Sequence, residues 1–399
     1  MATIASLAMA TALATLAPPL TDAEVIAQAH SDRGEIAGWL RGTDACRAGR
    51  VPRRIAELLR QRGVDARFHS AGHGGGFTVA TVGPAGRPLA ALLVAPAVAC
   101  PQAPDNADLE YGATARATWR AAAIMTALTA LAREANLQRG VRALFLGGDA
   151  AGGCGRGFVD NALPGLAGGA PILDEGGLLL VAHRPPILVL GTAYLQSSVI
   201  WLSVRDGERD PADRLDRALA LCDGFQLDAA PSPAAAATVE AIERSLPGRD
   251  PALALYRAAH CELGPRYGKS LAQVHCLLPP AITTQRVAYA LFKRIADPAL
   301  VISYQTARRQ PVERAVPPEL MAALSRASAE ALDGAPVIAG LDLVERCGIE
   351  AALDEPTFGL PLFSTTAAGP RDVALRNFET GALLARALLR AAARQPAGH

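Results

Sequence analysis

Helical stripes of apolar residues alternate along this chain with short apolar runs bounded by glycine and proline, and this alternation limits the fold more than any other feature. Residues 51–63, VPRRIAELLRQRG, place Val51, Ile55, Leu58 and Leu59 on one helical face, with Gly63 as a C-terminal stop. FTVATVG and PLAALLVAPAV follow as a β-rich pair around the turn signal Gly83-Pro84-Ala85-Gly86. The pattern predicts a long helix over 115–134, and VRALFLGG (141–148) has the look of a strand buried on both faces. Helices and strands that alternate in this way argue for an α/β sandwich.

At 399 residues the chain can bury a large core, and its length suggests two domains or one domain with a sizeable insertion. Lys+Arg (39) nearly cancels Asp+Glu (38), so neither a nucleic-acid stripe nor an acidic tail is expected, and the expected partner is a small molecule or a protein surface. Seven cysteines (Cys46, Cys100, Cys154, Cys222, Cys261, Cys276, Cys347) are an odd number without a C-x-x-C pair, which suits a reducing cytosol better than a disulfide framework. The opening stretch MATIASLAMATALATLAPPL lacks the basic start of a secretory signal and reads as an N-terminal helix, with export as the lesser alternative. No apolar run reaches the ~20 residues of a membrane helix, so a soluble, cytoplasmic protein is expected.

A second pattern begins near residue 195: QSSVIWLSVRD (strand), PADRLDRALALC (helix), SLAQVHCLL (strand), TTQRVAYALFKRIA (helix) and ALVISYQT (strand). This set could stand alone as an antiparallel sheet with two helices, and LDAAPSPAAAATVEAIERSLPGRDP between its halves reads as a loop-like embellishment. Longer helices resume after about residue 309 in PPELMAALSRASAEAL and ETGALLARALLRAAAR.

Several local stretches give this order of elements a family likeness. LLVAPAVACP, EYGATARATWR, FLGGDAAGG, LDEGG and PRDVALRNFETGAL stand where the co-catalytic zinc metallopeptidases of the carboxypeptidase G, aminoacylase, carboxypeptidase S and succinyl-diaminopimelate desuccinylase family carry their metal-site motifs. The chain resembles this family from about residue 30 to 395. The resemblance implies an α/β fold: an α/β/α catalytic-type domain (1–194 and 309–399) interrupted by an inserted α+β lid of the dimerisation type (195–308).

The chemistry departs from the family at the metal. Two zinc ions about 3.5–4 Å apart need several nitrogen and oxygen ligands, a bridging carboxylate and a separate carboxylate base. On this resemblance the first histidine falls on Pro96 and its orienting Asp on Val98, while the bridging Asp falls on Ala117. The Glu-Glu pair becomes Asp149-Ala150, and the last histidine falls near Leu375. Glu175 alone keeps an oxygen at a ligand position, and Asp149 keeps a carboxylate at the general-base position. Slips in alignment do not help, because no histidine occurs between 73 and 183 or between 275 and 399. No metal ligand set and no cofactor are therefore expected. The lid motifs change too: the family's Gly-His falls in RDGERDPA, and its substrate-contacting Arg falls on Cys276.

Without cations, Asp149 and Glu175 would need new partners, since an unpaired buried charge costs several kcal/mol. Arg116 and Arg120 stand one helical turn apart beside Trp119, which could fill vacated volume; Arg156 and Arg376 are further candidates. An exposed basic face is an equally good reading of the two arginines. Cys100 and Cys154 border the same region as candidate nucleophiles, against the plainer reading of small buried cysteines. In the lid, His260-Cys261 and His275-Cys276 read as buried cysteines beside surface histidines, and GPRYGKS (264–270) reads as a lid loop, not a phosphate loop.

Three functional readings follow. In the first, a degenerate member of this fold binds a peptide-like or acyl-amino-acid ligand, with a possible homodimer through the lid. In the second, a metal-independent enzyme of amide formation, cleavage or cyclisation in a specialised biosynthetic pathway uses Asp149 as base. The third is a zinc amidohydrolase with relocated ligands.

Overall fold

The computed structural model describes residues 18–41, 49–70, 75–96, 113–147, 163–180, 186–228, 230–245, 257–304, 313–342, 357–360, 362 and 371–396. The alanine-rich opening at 1–17 lies outside them. The first part runs α1 (Asp22–Leu40), α2 (Arg50–Gln61), β1 (Asp65–Ser70), β2 (Gly76–Val82), β3 (Leu89–Pro96), α3 (Ala113–Leu131), β4 (Gly140–Leu146), α4 (Leu163–Ala167), β5 (Ile172–Glu175), β6 (Leu178–Leu180) and β7 (Ile187–Tyr194). The insertion holds β8 (Gln196–Val204), α5 (Pro211–Cys222), β9 (Gln226–Asp228), α6 (Pro233–Ser245), β10 (Ala258–Tyr267), β11 (Leu271–Leu278), α7 (Thr284–Ile295) and β12 (Leu300–Tyr304). The chain returns with α8 (Pro318–Ala331), β13 (Val337–Asp342), β14 (Thr357–Leu360) and α9 (Arg371–Ala393).

Nine strands form the large sheet in the order β1-β2-β4-β3-β5-β14-β7-β13, with β6 beside β7. β2 and β3 are not neighbours, contrary to the pair expected around Gly83–Gly86. The chain leaves β3 through α3 and returns as β4, which inserts between them, parallel to β3 and antiparallel to β2. A run of four-residue turn signals specifies a reversal, but the inserted strand decides which edge is paired.

Alternating residues of β3 face different layers. Leu93 and Ala95 join the main core with α1, α3 and α9, whereas Leu92 and Val94 join Phe77, Leu144, Leu146 and Ile172 in a second core on the other face. That two-sided burial explains the continuous apolar runs in the sequence. Every residue of α3 from Ala117 to Leu131 is buried, so this stretch has no solvent face. One buried carboxylate ties the helices together: Asp32 on α1 accepts from Arg62 Nη2 at 2.6 Å and Nη1 at 2.9 Å, from Thr126 Oγ1 on α3 at 2.9 Å, and from Gln28 at 3.0 Å. These four hydrogen bonds offset the desolvation cost of burying the carboxylate.

The lid is a separate five-stranded antiparallel sheet, β12-β8-β11-β10-β9, with its own core built from Ile200, Leu202, Val274 and Leu278 against Leu215 of α5 and Val287 and Leu291 of α7. GPRYGKS is the end of β10 and the hairpin turn into β11, not a free loop. The alanine-rich embellishment contains a regular helix, α6. Ser232 Oγ accepts from the Ala235 amide at 3.2 Å, Pro233 opens the helix where its missing N–H is harmless, and alanines favour its continuation.

One expectation about the cysteines fails. The β10–β11 register sets Cys261 opposite Cys276, with Cα atoms 4.0 Å apart, and the two form a disulfide inside the lid core. His275 lies on the opposite, exposed face, as strand alternation requires. Cys222, also buried in the lid core, is unpaired, and loss of hydration raises its thiol pKa to about 11. No described helix is long and apolar enough to cross a membrane.

Candidate functional site

β4, β3, β5 and β14 are adjacent and parallel, so their C-terminal ends lie along one edge of the large sheet. Such an edge is where open α/β sheets build ligand crevices. Of the positions singled out by resemblance, Pro96 ends β3, Glu175 ends β5 in register with Leu360, and Arg116 and Ala117 lie in the first turns of the helix that follows β3. Leu375 and Arg376 lie in the second turn of α9. Cys100, Asp149, Ala150, Cys154 and Arg156 lie outside the described residues.

Ala117 is 2% exposed, so its methyl is packed into the protein. Arg120, one turn further on, is also 2% exposed. An exposed face is ruled out for Arg120, because α3 is buried on every side from Ala117 to Leu131. Arg120 Nε donates to the Val94 carbonyl of β3 at 3.2 Å, and Nη1 donates to the Leu360 carbonyl of β14 at 3.3 Å. Because β5 runs between β3 and β14, one guanidinium tethers strands on both sides of the LDEGG strand. Hydrogen bonds to a charged group contribute roughly 1.5–3 kcal/mol each, so Arg120 helps hold this edge in shape.

Trp119, 7% exposed, packs within the helical layer. Its ring lies 5.6 Å from Phe378 of α9, and the Arg33 guanidinium of α1 sits 5.5 Å from the indole centre. That cation–aromatic contact and His30 of α1, which meets the Phe378 ring at 5.2 Å and Glu379 at 2.9 Å, lock α1, α3 and α9 together. Asp174, which the sequence offered only as Glu175's neighbour, is itself 1% exposed at the strand end. The available signal was period-two alternation, which sets it on the face of buried Ile172. Gly176 and Gly177 then turn the chain toward β6 at φ +145° and +70°, conformations that favour glycine. Among the described residues no three His, Cys, Asp or Glu side chains come together to hold a metal ion.

No family model and no curated protein matches the sequence. Solved structures do match in fold. Human carnosine dipeptidase 1 superposes with a TM-score of 0.67 at 14% identity, covering 95% of this chain and 100% of that one. An M20 family metallo-carboxypeptidase, Sso-CP2 from Sulfolobus solfataricus, gives 0.62 at 12% identity over 91% and 99%. The dipeptidase Dug1p from Saccharomyces cerevisiae gives 0.58 at 13% over 94% and 99%. The chain therefore has the mixed α/β fold of the M20-type metallopeptidases over nearly its whole length, with a sequence far from any of these three.

Proposed function

We propose that this chain is a peptidase-fold protein that has lost the dinuclear metal site and uses the crevice at the ends of β3, β4, β5 and β14 to bind a peptide-like or acyl-amino-acid ligand. What supports this reading is the donor set: the positions that the resemblance aligns with the family's zinc ligands hold Pro96, Ala117 and Leu375, of which Pro96 ends β3 and Ala117 is buried in α3. The side chains of these residues do not fit zinc. Arg120 maintains the edge and Glu175 retains a carboxylate there for a ligand's amide or ammonium group.

The test is metal analysis of protein purified without chelators, paired with calorimetric titration of N-acyl amino acids and dipeptides. Substoichiometric zinc with saturable binding supports the proposal. Two equivalents of tightly held zinc would overturn it and favour relocated ligands.

We also propose that the lid pairs with a second copy of this chain. β12 is the outer strand of the lid sheet, and beside it α7 exposes Tyr289 (58%) and Phe292 (51%), with Val301 of β12 at 41%. A cleft of about 460 Å³ is lined by Tyr289, Phe292 and Arg286 of α7 and by Ile302 and Tyr304 of β12, while Val301 lies on the other face of the strand. An open strand edge next to exposed aromatics is a template for pairing. Light scattering should give a dimer that Phe292→Glu converts to monomer without changing Tm; a monomeric wild type would refute it.

A further inference from the structure

The sequence around α6 belongs to the lid, because β9 before it and β10 after it are strands of the lid sheet. Yet none of the described α6 side chains belongs to the lid core. Its buried residues Ala234, Ala235, Thr238 and Val239 recur at helical spacing and form one face. That face packs on β13 and β7 of the large sheet. The fit is close: a Cβ on Gly340 of β13 would lie 2.2 Å from Thr238 Oγ1, so glycine is needed for the helix to approach. At its N-terminus, the Ala234 amide donates to Glu313 Oε1 at 2.9 Å, a carboxylate placed where the helix dipole favours it. Glu313 precedes α8 on the chain's return from the lid, and the next amide, Arg314, donates to the Thr192 carbonyl of β7 at 3.2 Å.

The covalent connection on the outward path is short: β7 passes into β8 through Leu195 alone. Leu195 is buried, and two domains joined in this way move relative to one another unless a packed interface holds them. We propose that α6 is a latch, a third and non-covalent attachment that fixes the lid's angle to the α/β domain, so that the lid swings only when α6 leaves β13. Small side chains on both sides of the contact make the latch close-fitting, and a single bulky or charged residue opens it.

The test places Ala235→Glu in the full-length chain and follows amide exchange of 233–245 together with small-angle X-ray scattering. In the wild type, α6 amides should be protected like those of α5, and the scattering should fit one compact particle. The variant should lose protection in α6 by on the order of tenfold or more and gain radius of gyration, while lid strands β8 and β11 stay protected. Exposed α6 amides in the wild type would overturn the latch, as would release of α6 without change in scattering. If Ala235→Glu does not fold, Glu313→Ala is read in the same two measurements and should give the same changes in smaller degree; unchanged protection and scattering there would count against the proposal.

Discussion

The α/β domain and the lid are stabilised by different means. In the α/β domain, charges are buried and matched: Asp32 meets Arg62 at 2.6 Å, and Glu134, 8% exposed, receives Arg390 and Arg394 at 2.6 Å each. In the lid, the described ion pairs lie toward the surface, such as Arg214 with Asp297 at 3.0 Å, and the interior is a small apolar core with a disulfide. The outer surfaces differ as well. Among the described residues, the large hydrophobic side chains left exposed are Leu221, Leu263, Tyr267, Leu277, Tyr289, Phe292 and Val301, all of them in the lid. A large domain can bury long polar side chains among helices that satisfy them; a small sheet with two helices has too little interior for that. The lid is stapled inside and apolar outside, the pattern expected of a part that makes contacts with something else.

The sharpest way to break this contrast is to remove a buried charge. Asp32→Ala leaves Arg62 without its partner and should destabilise the α/β domain by about 3–5 kcal/mol, measured by urea unfolding; a loss under about 1 kcal/mol would mean the pair behaves like a surface one. Next, replacing Cys261 and Cys276 together by alanine opens a crosslink spanning 15 residues. The expected loss is about 3 kcal/mol for a loop of that length, confined to lid amides in hydrogen exchange. Equal loosening of both domains would show that they unfold as one unit.

A smaller effect tests whether lid helices depend on local caps. Thr283 Oγ1 accepts from the Arg286 amide at 3.0 Å at the start of α7, and Thr283→Ala should reduce lid stability by about 1 kcal/mol. The smallest expected effect concerns pH. Cys222 holds its proton up to about pH 11 in the folded lid, above its value in the unfolded chain. Its contribution to stability is therefore complete below the ordinary thiol range and is lost as pH rises toward about 11. Alkylation of Cys222 at pH 8 should need prior unfolding, and fast labelling of the native protein would contradict its burial.

Part of the site was legible because identity is enough to exclude chemistry. Pro96, Ala117 and Leu375 lack zinc-binding atoms in any fold, and the LDEGG strand ending was visible as an apolar run stopped by charge and glycine. The environment of Arg120 was not legible. Its position on a helix suggested a solvent face, but α3 is enclosed by the sheet, α1 and α9, and its guanidinium reaches carbonyls of β3 and β14, 26 and 240 residues away in sequence.

The sequence by itself determined the periodicities, and with them the α/β layering and the existence of long helices such as α3, since these depend on which residues repeat every two or every 3.6 positions. Tertiary structure decided which strands became neighbours, placing β4 between β2 and β3. It also decided the pairing of Cys261 with Cys276 and the docking of an alanine-rich lid helix on Gly340. These depend on register and on close approach between segments distant in sequence, and local propensity carries no information about either.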